Sequence, residues 1–472
     1  MPKRTYIGVR LSRLRAELGL QQSALAERLG ISASYLNQLE RDQRPLTAPV
    51  LIKLIEVFGD RVVLMSEVDQ IRLANELQEV ALDLDGMLTT ADVTHLASSQ
   101  PDLGAALVAL HRRYRDTADQ LAALTDSIAA TESIAVAPAQ LPYENVRDFF
   151  YEHHNYFAAL DEAAERLAAE LGLTPHTAEH SIAGHLTERH GVAVRIDDMH
   201  ATSPSADQRH YDPERRILTL AGWTTPSERA YQLASQTALI EFGDSLDELI
   251  EAPTLPTVEA RQLARIALAN HFAGALLMPY RQYLALAEQT RYDIESLAAN
   301  FRVSFESACH RLSSLQRPGL RGVPFLFVRV DQAGNISKRQ SATDFHFSRI
   351  GGSCPLWVIH DAFNTPGRIR TQLTEMPDGR RHFTIARTTD ERRVGYRAPT
   401  RRFVIGLGCD VQHADRLVYA DGFDLADPNA FTPIGIGCKV CERPNCEQRA
   451  FPAIGKPLAV DEHRSWRPYQ QA

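Results

Sequence analysis

Gln21-Gln22-Ser23-Ala24-Leu25-Ala26-Glu27-Arg28-Leu29-Gly30-Ile31-Ser32-Ala33-Ser34-Tyr35-Leu36-Asn37-Gln38-Leu39-Glu40 is the stretch that decides the fold of the N-terminal region. Ala24, Leu25, Ala26 and Leu29 give a helix over 21–29 one apolar face. Gly30 follows where a helix end needs a left-handed residue. Ser32 is a natural N-cap for a next helix over 32–41, with Ile31 packed just before it. Two short helices joined by a glycine turn, the second rich in small polar residues, form a helix-turn-helix pattern. In that geometry the start of the second helix enters the major groove of DNA. Ser32, Ala33, Ser34 and Tyr35, then Asn37 and Gln38 one turn on, would face base edges, and Asn and Gln can bond adenine through both polar atoms. Arg13, Gln22, Arg41 and Arg44 are placed to hold phosphates. A preceding helix over 10–17 carries Arg10, Arg13 and Arg15 toward solvent or phosphate, and Gly19 ends it.

Charge agrees with that reading once it is divided. The 472 residues carry a net −8, yet residues 1–60 hold nine cations against six anions, a surplus of three that leaves −11 on the rest. One module is suited to meet phosphates and the remainder is not. The N-terminus Met1-Pro2-Lys3-Arg4 lacks the apolar core of a secretion signal, and no run of apolar residues is long enough to cross a membrane, so a cytoplasmic protein is expected. Six cysteines in so long a chain are not a disulfide scaffold, and their clustering suggests metal or redox chemistry.

A chain of this length suggests about three domains. The expected architecture is multidomain: an all-α head over 1–64, a helical linker over 65–142 that could also hold a dimer, a mainly α domain over 143–318, and an α+β domain with an antiparallel sheet over 319–472. Linker helices are predicted at 71–82 and 103–128. The third region is read as helices at 162–171, 176–190, 227–242, 258–277 and 304–315, with short strands at 192–196 and 216–220. After Pro318 two hairpins are predicted, 325–330 with 336–339 and 368–375 with 380–387. The turn of the second, Met376-Pro377-Asp378-Gly379, has good turn chemistry, and a further strand is expected at 403–407.

Cys438, Cys441 and Cys446 place three thiols within nine residues. They ask for a fourth ligand. Cys409 is the first choice, because Gly406-Leu407-Gly408-Cys409 echoes Gly435-Ile436-Gly437-Cys438; Cys354 is the runner-up, and Cys309 reads as core. From the residues alone a structural zinc, with Cys409 or His413 completing the set, outweighs an iron–sulfur cluster.

Three resemblances extend these readings. The segment 22–40 is similar to the lambda-repressor/Xre family, whose members usually bind DNA as dimers. Tyr231–Phe242 resembles the active helix of the ImmA/IrrE metallopeptidases, which carries His-Glu-x-x-His, two imidazoles one turn apart for zinc and a glutamate base. Here those positions fall on Ser235, Gln236 and Leu239, and the acid expected before the second segment, Ala269–Pro279, is absent. No enzyme is therefore expected, although the cleft can still take a ligand. His271 reads as a packed core histidine.

Taken together with Phe345-His346-Phe347, Gly351–Trp357 and Gly435–Cys441, the chain resembles over nearly its full length the short-chain fatty-acyl transcriptional regulators of actinobacteria. That group includes acetate-metabolism and propionate (methylcitrate) regulators. The resemblance implies a homodimeric or larger regulator of glyoxylate, acetate or propionate genes that senses a short-chain acyl-CoA or CoA. It also implies a [4Fe–4S] cluster on the C-terminal cysteines in place of zinc. The acyl-CoA would bind the inactive peptidase cleft, at Ser235, Gln236 and Asn270, or its junction with the C-terminal sheet, with Arg281, Arg321 and Arg329 at the mouth. Two rival readings, a working peptidase and a short phage-type repressor or antitoxin, conflict with the missing motif and with the cysteine cluster respectively.

Overall fold

The structure, a computed structural model, describes residues 11, 15, 20–40, 44, 50, 53–54, 68–83, 88–129, 142–197, 207–343, 345, 353–392, 400–435, 437–438, 441, 443 and 446–450. In the head, helices Gln22–Arg28 and Ala33–Glu40 pack through Leu25, Ala26, Leu29, Leu36 and Leu39 onto Leu11, Val50 and Leu54. Gly30 takes φ +57°, the left-handed turn its sequence position demands. The linker region is a small helical unit of Val68–Asp83, Thr90–Ser99 and Pro101–Ala129, closed around Leu73, Leu77, Val80, Val93, Ala97 and Val108. The middle helix was not foreseen; a reciprocal cap between Thr89 and Asp92 starts it.

The next core is helical. Pro142–Glu152, Ala158–Glu170, Ala178–His190, Pro226–Glu241 and Val258–Leu277 bury a continuous apolar cluster from Phe149 to Leu276. A three-stranded sheet lies beside them. β1 (Ala193–Ile196) runs parallel to β3 (Ile217–Leu220), and β2 (Arg209–Asp212) is antiparallel on the other side of β3. β2 reads Arg-His-Tyr-Asp, too polar to announce itself as a strand.

The C-terminal sheet has six strands in the order β5-β4-β8-β7-β6-β9. β4 (Leu326–Asp331) and β5 (Ile336–Ser341) form one expected hairpin, and β6 (Arg370–Glu375) with β7 (Arg381–Arg392) forms the other. β8 (Thr400–Asp410) bridges the two pairs, and the short β9 (Thr432–Pro433) is parallel to β6.

One core spans the expected boundary at 318/319. Met278, Tyr280, Tyr283, Ile294, Leu297, Cys309 and Leu312 share it with Phe325, Phe327, Phe383, Ile405 and Leu407 of the sheet. The helices Tyr280–Gln289, Ile294–Phe301 and Phe305–Ser313 thus cover one face of the C-terminal sheet, and the core changes at Leu277/Met278. No periodicity in one helix can reveal which neighbouring core it joins.

Candidate functional site

In the head, Ser32 Oγ accepts the Tyr35 backbone N–H at 3.1 Å, so it caps the second helix. Ser32, Ala33 and Ser34 are exposed, and Asn37 and Gln38 are half-buried. Tyr35 packs partly on the core, with the Arg44 guanidinium over its ring at 5.7 Å. Gln22 is turned inward: its amide donates to Glu40 Oε2 at 2.8 Å and lies 3.4 Å from Asn37 Oδ1. Arg15, expected at solvent or phosphate, is paired with Glu40 at 2.7 Å. That correction has a plain cause: Glu40 is nearly enclosed and needs a cation. Arg13 and Arg41 lie outside the described residues.

The helix that resembles a peptidase's active helix has been rewired. Ser235 Oγ donates to Asn270 Oδ1 at 3.0 Å, and Tyr231 Oη donates to the Asn270 carbonyl at 2.9 Å. Ser235 and Gln236 are buried. Side-chain hydrogen bonding between two helices thus occupies the level at which a peptidase would carry its metal ligands. His271 is also buried, edge-on to Phe157 with centroids 5.3 Å apart, and its Nε2 stands 3.9 Å from Asp161 Oδ2. Burial pulls this imidazole down to about 4 against the opposing pull of Asp161, so it is neutral near pH 7.

Around this helix lies a set of charges the sequence did not single out. Glu306 acts electrostatically on Tyr231 and Lys338 and pairs with Arg329 at 3.3 Å. Arg209 reaches the Gln232 carbonyl at 3.2 Å. Lys338 sits with its ammonium 5.6 Å from the Phe327 ring centre. Burial pulls that ammonium down to about 8, although Glu306 opposes the shift. Of the three arginines expected at a ligand mouth, Arg329 joins this group, also donating to Ser337 Oγ at 3.0 Å and lying over Phe403. Arg281 is exposed and meets Glu165 through its backbone N–H, and Arg321 is exposed. A separate cleft of about 270 Å³, lined by Thr174, His176, Ser227, Leu277, Phe301 and Arg302 among others, contains none of the expected ligand residues.

The cysteines are sorted by the sheet. Cys409 lies on β8 opposite Phe383, wholly buried on the face that also carries Ile405 and Leu407, and burial pushes its thiol far up. Cys354 lies in the core on the opposite face, with Trp357, Val404 and Ile434. Cys354, Cys438, Cys441 and Cys446 line one pocket, with Arg443 and Arg449 beside them. Cys354, the runner-up, shares this pocket with the three clustered cysteines, whereas Cys409, the first choice, lies in the core on the other face of the sheet. The glycines that made Cys409 attractive serve packing instead: a Cβ at Gly406 would stand 2.8 Å from Val328 Cγ2.

In the cysteine pocket the backbone closes tightly around sulfur. Burial raises the Cys354 thiol most, while backbone N–H groups of Gly435 and Leu356 favour its thiolate. A Cβ on Gly435 would lie 2.6 Å from Cys441 Sγ, so only glycine lets the backbone come this close to sulfur. Arg449 donates to the carbonyls of Cys438 (3.3 Å) and Cys441 (3.1 Å), and Arg443 to that of Ile434 (3.1 Å), which holds the loop in shape.

A helix-turn-helix head, a peptidase-like unit without its catalytic residues and a C-terminal domain with a cysteine pocket define a multidomain transcriptional regulator. Comparison with known proteins agrees. Residues 11–60 match the helix-turn-helix family, 187–313 the IrrE N-terminal-like domain, and 314–469 the short-chain fatty acyl coenzyme A regulator C-terminal domain. The chain is 48% identical over 463 residues to the HTH-type transcriptional regulator PrpR of Mycobacterium tuberculosis, covering 98% of this chain and 94% of that protein. It is 48% identical over 468 residues to the regulator RamB of the same species, covering 98% of each. It is 43% identical to the propionyl-CoA carboxylase regulator of Cereibacter sphaeroides, covering 100% of this chain and 99% of that one. A solved structure of a Mycobacterium tuberculosis transcriptional regulator is similar with TM-score 0.67 and 50% identity, covering 70% of this chain and all of that one. The chain belongs to the family of short-chain fatty acyl-CoA transcriptional regulators with a helix-turn-helix head. It is a DNA-binding regulator, and no described helix is long and apolar enough to cross a membrane.

Proposed function

We propose that this regulator binds a short-chain acyl-CoA beside the inactive peptidase helix and carries a [4Fe–4S] cluster on Cys354, Cys438, Cys441 and Cys446. It then controls genes of acetate or propionate metabolism. The observation that carries the effector reading is the set of cations linked electrostatically to the helix that has lost its catalytic residues: Arg209 and Glu306 act on Tyr231, and Glu306 in turn pairs with Arg329 and acts on Lys338 of the C-terminal sheet. Coenzyme A brings several phosphate charges, which such cations suit. The printed name of the Cereibacter relative, a regulator of propionyl-CoA carboxylase, supports the substrate class.

The cluster reading rests on the four thiols, the N–H groups aimed at Cys354 and the side-chain-free approach of Gly435. Bound there, a cluster would supply a redox-sensitive centre. A single zinc is the competing occupant.

A ligand alters DNA binding only by favouring one conformation over another. A continuous set of contacts supports such coupling. Arg339 of β5 pairs with Glu144 at 3.1 Å, and Arg147 donates to the Ile336 carbonyl at 2.9 Å. On the same Pro142–Glu152 helix, Asp148 meets Arg112 of the linker at 3.4 Å, and Arg112 meets Glu76 at 2.9 Å. Leu103, Leu110 and Tyr114 form an exposed stripe on the long linker helix, where a second chain would pack so that two heads meet a palindrome.

The test is thermal unfolding of anaerobically purified protein with millimolar propionyl-CoA, acetyl-CoA or free CoA, with iron, zinc and the visible spectrum measured on the same sample. Stabilisation by an acyl-CoA, and several irons per chain with a broad absorption near ~400 nm, are expected. No stabilisation would defeat the effector reading, and about one zinc in a colourless protein would defeat the cluster.

A further inference from the structure

We propose that His185, His190 and Glu241 form a divalent-metal site, with zinc the best-suited ion, at one end of the peptidase-like unit. The site is independent of the lost catalytic motif and of the cysteine pocket. Helix Ala178–His190 ends at His190, and helix Pro226–Glu241 ends at Glu241. Their ends meet there. The Nε2 atoms of His185 and His190 lie 2.7 Å and 3.0 Å from the same oxygen, Glu241 Oε2. The two rings are nearly perpendicular with centroids 5.6 Å apart, and one potential ligand atom from each of the three residues lies within 4.8 Å of the others.

Three features favour a cation over a plain hydrogen-bonded trio. Two neutral imidazoles and one carboxylate are a standard zinc donor set, leaving a fourth position for water. The C-terminus of helix Ala178–His190 places partial negative charge on the spot. The side chains are 7%, 19% and 14% exposed, enclosed enough to be held and open enough for an ion to enter. Tetrahedral zinc with bonds of ~2.0–2.1 Å separates its ligand atoms by roughly 3.3 Å. Opening the present contacts by about half an ångström would admit it, well within side-chain freedom. Arg189 stands 3.7 Å from Glu241 Oε1 and opposes a cation, but it is 61% exposed and can swing into solvent. The ion would pin together the ends of two helices, one of which bears Ser235 and Gln236.

The test uses the full chain with its cysteine site already loaded and its metal content known. Equilibrium dialysis against zinc is followed by elemental analysis, for wild type, His185→Ala and Glu241→Gln. About one additional zinc per chain is expected in wild type and none in either variant, with the cysteine-bound metal unchanged. Zinc should raise the Tm of wild type alone. Cobalt added to wild type gives a reading that needs no variant: weak visible bands without thiolate charge-transfer absorption are expected. Equal zinc uptake by all three proteins, or thiolate charge transfer for the added cobalt, overturns the site.

Discussion

Replacing Asp161 by Asn should unfasten the peptidase-like core from the C-terminal domain. Asp161 is fully buried on helix Ala158–Glu170. Arg311, 1% exposed, grips it with two bonds of 2.6 and 3.2 Å, and Arg317 adds a third of 3.2 Å. Arg311 also donates to the Met278 carbonyl at 3.0 Å and to Ser314 Oγ at 3.2 Å. The pair therefore joins one core to the helix that covers the next. Removing one partner of a buried pair leaves the other charge without compensation, which costs about 3–5 kcal/mol. Arg311 keeps its carbonyl and hydroxyl acceptors, and Arg317 keeps Glu165 at 3.0 Å, so the lower end, about 3 kcal/mol, is expected. Urea unfolding followed by circular dichroism measures it, with the transition of this unit analysed separately from that of the head. Asp161→Asn/Arg311→Met should recover part of the loss, because no buried charge is then stranded on helix Phe305–Ser313. A single variant within about 0.5 kcal/mol of wild type would refute the claim that this pair fastens the two cores.

The remaining predictions concern acid, effector, cysteines and DNA. His271 is held down at about 4 against an ordinary 6.5, so the unfolded chain binds more protons between those values. Stability should therefore be lost as pH falls from 6.5 toward 4, by up to about 3 kcal/mol, and His271→Phe should flatten that part of a Tm-against-pH profile. Lys338 loses its proton near pH 8, and an anionic ligand favours the protonated form; acyl-CoA affinity by calorimetry should weaken above pH 8, and Lys338→Ala should bind weakly with that pH dependence gone. Gly435→Ala, which drives a methyl into Cys441 Sγ, should cut metal loading of the cysteine pocket while leaving DNA binding by the head intact, as read by metal analysis and gel shift. Gln38→Ala should relax preference at one base pair by about 1–3 kcal/mol, whereas Arg44→Ala should weaken binding to all sequences and lower the salt slope by about one.

Local patterns were legible along the chain because they depend on neighbours in sequence. The glycine turn and serine cap defined the head, turn chemistry located both sheet hairpins, and the absence of His-Glu-x-x-His emptied the peptidase helix. The cysteine spacing also marked three of the four pocket thiols. What depends on distant residues was hidden. Cys409 and Cys354 are distinguished by which face of the sheet each side chain takes, and that follows from the register of β8 against β4 and β7. Arg15 turns from phosphate to Glu40, twenty-five residues on, because an enclosed carboxylate must be paired. The change of core at Leu277/Met278, the charges around Tyr231 and the meeting of His185, His190 and Glu241 arise where elements far apart in the chain are packed together. Sequence alone determined the kinds of module this regulator contains; tertiary packing decided which side chains share a site, because burial and charge pairing are satisfied in space and not along the chain.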